Sequence, residues 1–141
     1  MNKQRLLDAS ARDRISKDLD ACFFVEAGAG SGKTFSLVNR VVGLLRNGRA
    51  KVEEIAVVTF TRKAAAELRE RIQIELEKLF RGDKAKEEEK TRIDAALQTV
   101  ERASISTIHS FCARILRERP VEAGVDPGFE EIEEDDDKIF A

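Results

Sequence analysis

The chain has 141 residues, 42% of them apolar and 37% charged, and a formal net charge of −2. That length fits one domain with a real core; no apolar run reaches the roughly 18 residues of a membrane-spanning helix, and the start Met1-Asn2-Lys3-Gln4-Arg5 lacks the apolar stretch of a signal peptide. From Glu118 onward ten acidic residues face two basic ones, a net of −8, which leaves residues 1–117 at +6; a basic body with an acidic tail suits a protein that meets a polyanion on one face, although an ordinary solvated surface fits the same charges.

Residues 5–18 read as a short helix carrying Leu6, Leu7 and Ile15. Strand character follows at 22–26, where Cys22-Phe23-Phe24-Val25 is apolar. The chain then breaks into Ala27-Gly28-Ala29-Gly30-Ser31-Gly32-Lys33-Thr34 and resumes as a helix over about 33–46, with Val38, Val41, Val42 and Leu45 on its buried face and Asn47-Gly48 as its stop. Ile55 to Phe60 is a continuous apolar run suited to a buried parallel strand. Thr61 can cap the long helix after it, whose apolar stripe is Ala65, Leu68, Ile72, Leu76 and Leu79, with Glu67 and Arg71 as a favourable pair. Residues 81–92 are polar enough for a loop running into a solvated helix that docks through Ile93, Leu97 and Val100. A third short strand, Ala103 to Thr107, leads to a helix over about 109–119 with Phe111, Ile115 and Leu116 facing inward, ended by Pro120. Turn residues open the last segment, and one more short strand is expected around Phe129 to Glu133. Cys22 and Cys112 have no metal-ligand spacing and read as buried, reduced thiols in a cytoplasmic protein.

Strands alternating with helices imply an α/β fold with a mainly parallel sheet. Such sheets bind ligands at the carboxyl ends of their strands, and all three strands end in polar sequence: the glycine loop, Thr59-Phe60-Thr61, and Ser106-Thr107-Ile108-His109-Ser110. The first of these is the strand, glycine loop, helix order of a nucleotide-phosphate loop. Gly28, Gly30 and Gly32 let backbone N–H groups converge on phosphate oxygens, with the positive end of the following helix aimed at the same spot. Lys33 reaches the β- and γ-phosphates and the Thr34 hydroxyl ligates Mg²⁺, so the whole stretch Ala27, Gly28, Ala29, Gly30, Ser31, Gly32, Lys33, Thr34 is expected to hold a nucleoside triphosphate. The usual pattern begins with Gly; Ala27 keeps the small size that position needs.

At the second strand end, hydroxyls, a helix N-terminus and Lys63 could hold backbone phosphates while Phe60 stacks on a base; equally, Phe60 could pack in the core and Thr61 be only a cap. His109, the one histidine, is expected to be packed or capping unless a site claims it, since neither a second histidine nor a suitably spaced carboxylate supports acid–base or nucleophilic catalysis.

The stretches AGAGSGKT, VVTFTRKAAAELRERI and STIHSFCARILRERP, in this order and spacing, closely resemble the UvrD/RecB-like superfamily 1 DNA helicases, over roughly residues 6–134. The IHSFC form followed by AGVDPGFEEIEE is most similar to the helicase–nuclease branch, the AddA and exodeoxyribonuclease V beta-subunit type. The resemblance implies a P-loop NTPase, RecA-like domain, ATP and Mg²⁺ as cofactors, and a single-stranded DNA path lined by Thr59, Phe60, Thr61 and Lys63 from one motif and Thr107, His109 and Ser110 from another. It implies as partners DNA, the remainder of a helicase chain and a second helicase–nuclease subunit, in double-strand break repair, with no membrane. Many relatives carry an upstream glutamine that reads the adenine edge; the best match places Ala11 there, with Arg12 next. Arg62 stands where close relatives have Asn.

The family also needs an Asp-Glu pair after an apolar strand to hold Mg²⁺ and orient water. Asp135-Asp136-Asp137 lacks the preceding apolar residues and reads as a solvated tail, within an acidic stretch 130–137 that leads toward an accessory subdomain. Neither an arginine finger, which contributes on the order of 10³–10⁵ in rate, nor a nuclease carboxylate cluster is present. The 141 residues are therefore expected to be the N-terminal part of the first motor domain, binding ATP and DNA without turning ATP over alone. A stand-alone nucleotide-binding P-loop module without motor action is the reading from another class.

Overall fold

The computed structural model describes residues 8–82 and 85–130. Six helices and two strands follow in the order α1 Ala9–Lys17, α2 Lys33–Arg46, β1 Ala56–Thr59, α3 Arg62–Arg81, α4 Glu87–Thr99, β2 Ser104–Thr107, α5 Ile108–Glu118 and α6 Pro120–Ala123. Single 3₁₀ turns at Val52–Glu54 and Val100–Arg102 lead into the strands. No described helix is long and apolar enough to cross a membrane.

β1 and β2 pair in parallel, with Ala56 opposite Ser104 and Thr59 opposite Thr107. A parallel pair needs a crossover connection, and here it is the α3–α4 hairpin. On α2 the expected face, Val38, Val41, Val42 and Leu45, is the buried one, and on α3 Ala65, Leu68, Ile72 and Leu76 of the expected stripe are buried while Leu79 is half-buried; they meet α4 through Ile93 and Ala96, with Leu97 half-buried against the same core. Ile72, Leu76 and Ile93 are wholly enclosed at the centre. Polar ties set the helices around this core. Arg46 grips Glu89 at 2.8 Å, the Arg92 Nε donates to the Arg46 carbonyl at 2.8 Å, and the Arg69 Nη2 donates to the Ile105 carbonyl at 2.9 Å. α1 packs on α2 close to Gly43: a Cβ there would stand 3.4 Å from Leu19 and 3.5 Å from the Ser16 carbonyl, at ordinary contact distance.

Four expectations need correction. Residues 22–26 are not a strand. A strand exists by sharing a hydrogen-bond ladder with a neighbour, and among the described residues none of these five makes a backbone–backbone hydrogen bond; Phe24 is 95% exposed. Among the described residues two strands, not three, therefore make the sheet. Cys22 and Cys112 are free but exposed rather than buried: Cys22 has lost the strand that was to enclose it, and α5 buries only Ala113. For the same reason Ile115 does not face inward but is 43% exposed, with Phe111 and Leu116 half-buried. The first helix spans Ala9–Lys17 within the expected 5–18. The strand expected at Phe129–Glu133 and the acidic stretch 130–137 fall almost wholly outside the described residues.

Candidate phosphate loop and strand-end site

Three short apolar-to-polar transitions were expected to converge, and the structure sorts them into two groups. The first is the glycine loop. Gly30 and Gly32 sit at φ +73° and +84°, the left-handed region that a side chain disfavours, and Gly32 is the N-cap of α2. Gly28 does not adopt positive φ. A Cβ added at Gly28 or Gly30 would meet nothing within 4 Å; the space before the loop is open.

Lys33, the first residue of α2, folds back over this loop. Its Nζ donates to the Ala27 carbonyl at 2.5 Å and the Gly28 carbonyl at 2.8 Å. The loop closes on itself through Ser31 N–H to Gly28 O at 3.4 Å, and α2 begins with Ser36 N–H to Gly32 O at 3.0 Å. Thr34 is exposed on the first turn of α2. The Gly32 N–H makes no hydrogen bond among the described residues. An ammonium, an unbonded N–H and the positive end of a 14-residue helix thus share one small region, which is what an anion of several oxygens requires.

The second group is assembled by the sheet. The parallel register sets Thr59 beside Thr107 at the carboxyl ends of β1 and β2. Each strand turns into a helix through a threonine cap: the Thr61 Oγ1 accepts from the Ala64 N–H at 3.1 Å, and the Thr107 Oγ1 accepts from the Ser110 N–H at 3.2 Å. The Thr59 Oγ1 braces the first turn, donating to the Thr61 carbonyl at 2.9 Å and accepting from its N–H at 3.2 Å, and the Thr107 hydroxyl donates to the Ser110 Oγ at 3.0 Å. Those hydroxyls therefore work first as caps. Phe60, by contrast, is 91% exposed and does not pack in the core. Lys63, His109 and Ser110 are exposed beside it on the first turns of α3 and α5. An exposed ring, an ammonium, an imidazole and two helix N-termini thus lie at the carboxyl ends of the two strands. The hydrogen bonds of the loop run to α1 and to itself, and none reaches these strand ends; α2 packing on α3 is the link between the two groups.

Sequence reading gave no role to two arginines, one that holds the loop and one that holds the segment leading to it. The Arg12 Nη2 donates to the Ser31 carbonyl at 2.6 Å. Arg40 donates to the carbonyls of Ile15, Asp18, Leu19 and Ala21, at 2.7, 2.8, 3.3 and 2.6 Å, and lies 4.9 Å over the Phe23 ring. Asp8 and Arg12, four residues apart on α1, carried a visible pair signal; nothing local distinguished Arg40. The Arg12 hydrogen bond, with the nearby charge, holds the Asp8 carboxyl below its ordinary value. Among the described residues no group of three or more His, Cys, Asp or Glu could hold a metal ion.

Residues 7–140 match the UvrD/REP helicase N-terminal domain family. The chain is 41% identical over 126 residues to an ATP-dependent helicase/nuclease subunit from Ligilactobacillus salivarius, covering 89% of this chain and 10% of the relative. A protein of the same name from Desulforamulus reducens is 39% identical over 82% of this chain and 9% of its own length, and one from Heliobacterium modesticaldum is 40% identical over 78% and 8%. The chain thus spans about a tenth of the curated relatives it matches.

Proposed function

The chain belongs to the UvrD/REP helicase N-terminal domain family, and on that footing we propose that it is the ATP-binding start of the first motor domain of a DNA helicase/nuclease that processes double-strand ends in the cytoplasm. The observation that carries this reading is the loop before α2: Gly30 and Gly32 in left-handed turns, with the Lys33 ammonium over the same few backbone atoms.

Lys33 exchanges its hold on the Ala27 and Gly28 carbonyls for the β- and γ-phosphates, which cancel more of its charge than two carbonyl dipoles do. Backbone N–H groups at the start of α2 take the remaining phosphate oxygens. The exposed Thr34 hydroxyl is the group this chain would offer Mg²⁺, which would supply neutralisation of the polyphosphate charge. The reading gives this chain nucleotide binding, with turnover assigned to the longer helicase chain. The sheet edge built by Thr59, Phe60, Thr61, Lys63, Thr107, His109 and Ser110 takes single-stranded DNA, Phe60 stacking on a base while Lys63 and the helix N-termini meet backbone phosphate. The rest of a helicase chain and a second helicase–nuclease subunit complete the machine.

Calorimetric titration with Mg·ATP tests the nucleotide half: affinity is expected to be lost in Lys33→Ala, and unchanged binding sinks the assignment. The DNA half predicts single-strand affinity that falls with salt and falls again in Phe60→Ala or Lys63→Ala; equal affinity of both variants at low salt makes that edge purely structural.

A further inference from the structure

Arg12 links α1 to the phosphate loop through a fork of bonds. Its Nε and Nη2 hold the Asp8 Oδ2 at 2.9 and 2.7 Å, while Nη2 also donates to the Ser31 carbonyl at 2.6 Å. Its Nη1 lies 3.0 Å from the place a Cβ on Gly32 would occupy, so the guanidinium rests on the left-handed turn itself. The far end of α1 is fixed independently, because Arg40 on α2 holds the carbonyls of Ile15 and Asp18. Arg12 therefore reaches the loop from a helix that is anchored at its other end.

One peptide plane carries the consequence. In a trans peptide the carbonyl and the following N–H point in opposite directions. Drawing the Ser31 carbonyl toward Arg12 aims the Gly32 N–H away from it, and that N–H has no hydrogen-bond partner among the described residues. The Ser31 hydroxyl is likewise buried without a partner, so it does nothing to hold this turn by itself.

We propose that Arg12 is a positioning residue for the polyphosphate: it fixes the Ser31–Gly32 peptide so that the Gly32 N–H is presented to a phosphate oxygen, with Asp8 orienting the guanidinium and α1 serving as the strut. This rests on the reading of the loop as a nucleotide site. Arg12 acts on the loop and not on the base, so its removal weakens any ligand that carries a chain of phosphates.

The test compares Mg·ATP with Mg-tripolyphosphate, which has the phosphates and neither base nor ribose, by calorimetry on the intact chain. Arg12→Ala is expected to weaken both by the same factor, about tenfold for a lost charge-assisted hydrogen bond that orders the site. Added guanidinium, well below denaturing concentration, is expected to restore part of both affinities, which a loss of stability alone does not permit. Arg12→Lys provides a second, gentler variant. A lysine keeps the charge but cannot span Asp8 and Ser31 together, and a paired loss of about threefold is expected. A loss confined to Mg·ATP makes Arg12 a base or ribose contact and overturns the proposal, as does unchanged affinity in both variants while Lys33→Ala weakens both ligands. A wild-type chain that binds neither ligand overturns the nucleotide reading, and this inference with it.

Discussion

Arg40 offers the most direct measure of how firmly the end of α1 and the segment after it are tied to α2. Its side chain is part-buried, and it stands where four carbonyls and one aromatic face converge. Replacing it by Ala removes the bonds to Ile15 at 2.7 Å and Ala21 at 2.6 Å, the two short part-buried ones. Each such bond has a net value of about 1 kcal/mol, and the cation over Phe23 adds about 0.5–1 kcal/mol at a partly solvated site. The Asp18 and Leu19 carbonyls, the one exposed and the other held at 3.3 Å, are counted as recovered by water. The sum is about 3 kcal/mol, and a domain of this size shifts by about 3–4 °C per kcal/mol, so Arg40→Ala is expected to lower the melting temperature by about 10 °C. Arg40→Lys, with one compact ammonium in place of a fork, should recover less than half of that. Thermal unfolding followed by circular dichroism at 222 nm reads both. A shift under about 3 °C for Arg40→Ala would mean that the four carbonyls are solvated without cost, and the reasoning about α1 would fail with it.

Gly32→Ala combines a strained left-handed residue with a methyl group 3.0 Å from the Arg12 Nη1; destabilisation of about 1–2 kcal/mol is expected by chemical denaturation, along with loss of nucleotide binding. Thr61→Ala and Thr107→Ala each remove an N-cap, at about 1 kcal/mol apiece, and because the two caps begin separate helices their effects should add in the double variant. For Asp8 the sign is that of a lowered carboxyl: the contribution of the pair to stability is present above the ordinary value of 3.8 and fades as pH falls through the lower value in the folded chain. The melting temperature of Asp8→Asn should therefore lie below that of the wild type at neutral pH and converge with it only in strong acid; convergence already near pH 6 would contradict the pairing.

What could be read from sequence followed the range of the forces involved. α2 was placed residue for residue because its signals are local: a glycine before Lys33, a 3.6-residue apolar stripe, and Asn47-Gly48 at the end. The same holds for the α3 stripe and for Thr61 as its cap. Cys22 to Glu26 failed because strand character is a property of a pair, and composition says nothing of whether a neighbour exists. The inward face given to Ile115 failed similarly: a helical period tells which residues share a side, not what lies opposite. In the candidate site the types of residue at the strand ends were legible, but the register that sets Thr59 beside Thr107 was not. Nor was Arg40, whose four acceptors lie 19 to 25 positions upstream.

The parallel pairing of β1 with β2 also bears on how the chain reaches this structure. The strands cannot meet until the whole of α3 and α4 between them has been brought back on itself. The hairpin of those helices is local in sequence and carries the most enclosed side chains, Ile72, Leu76 and Ile93. Closing the sheet before it forms would cost the loop entropy of the entire connection with little to offset it. The rate-limiting ensemble is thus expected to have the hairpin docked and the ladder still open. Trimming Leu76 or Ile93 should slow folding, while trimming Val57 or Ile105 on the strands should leave the folding rate nearly unchanged and hasten unfolding, a split that stopped-flow chevrons resolve.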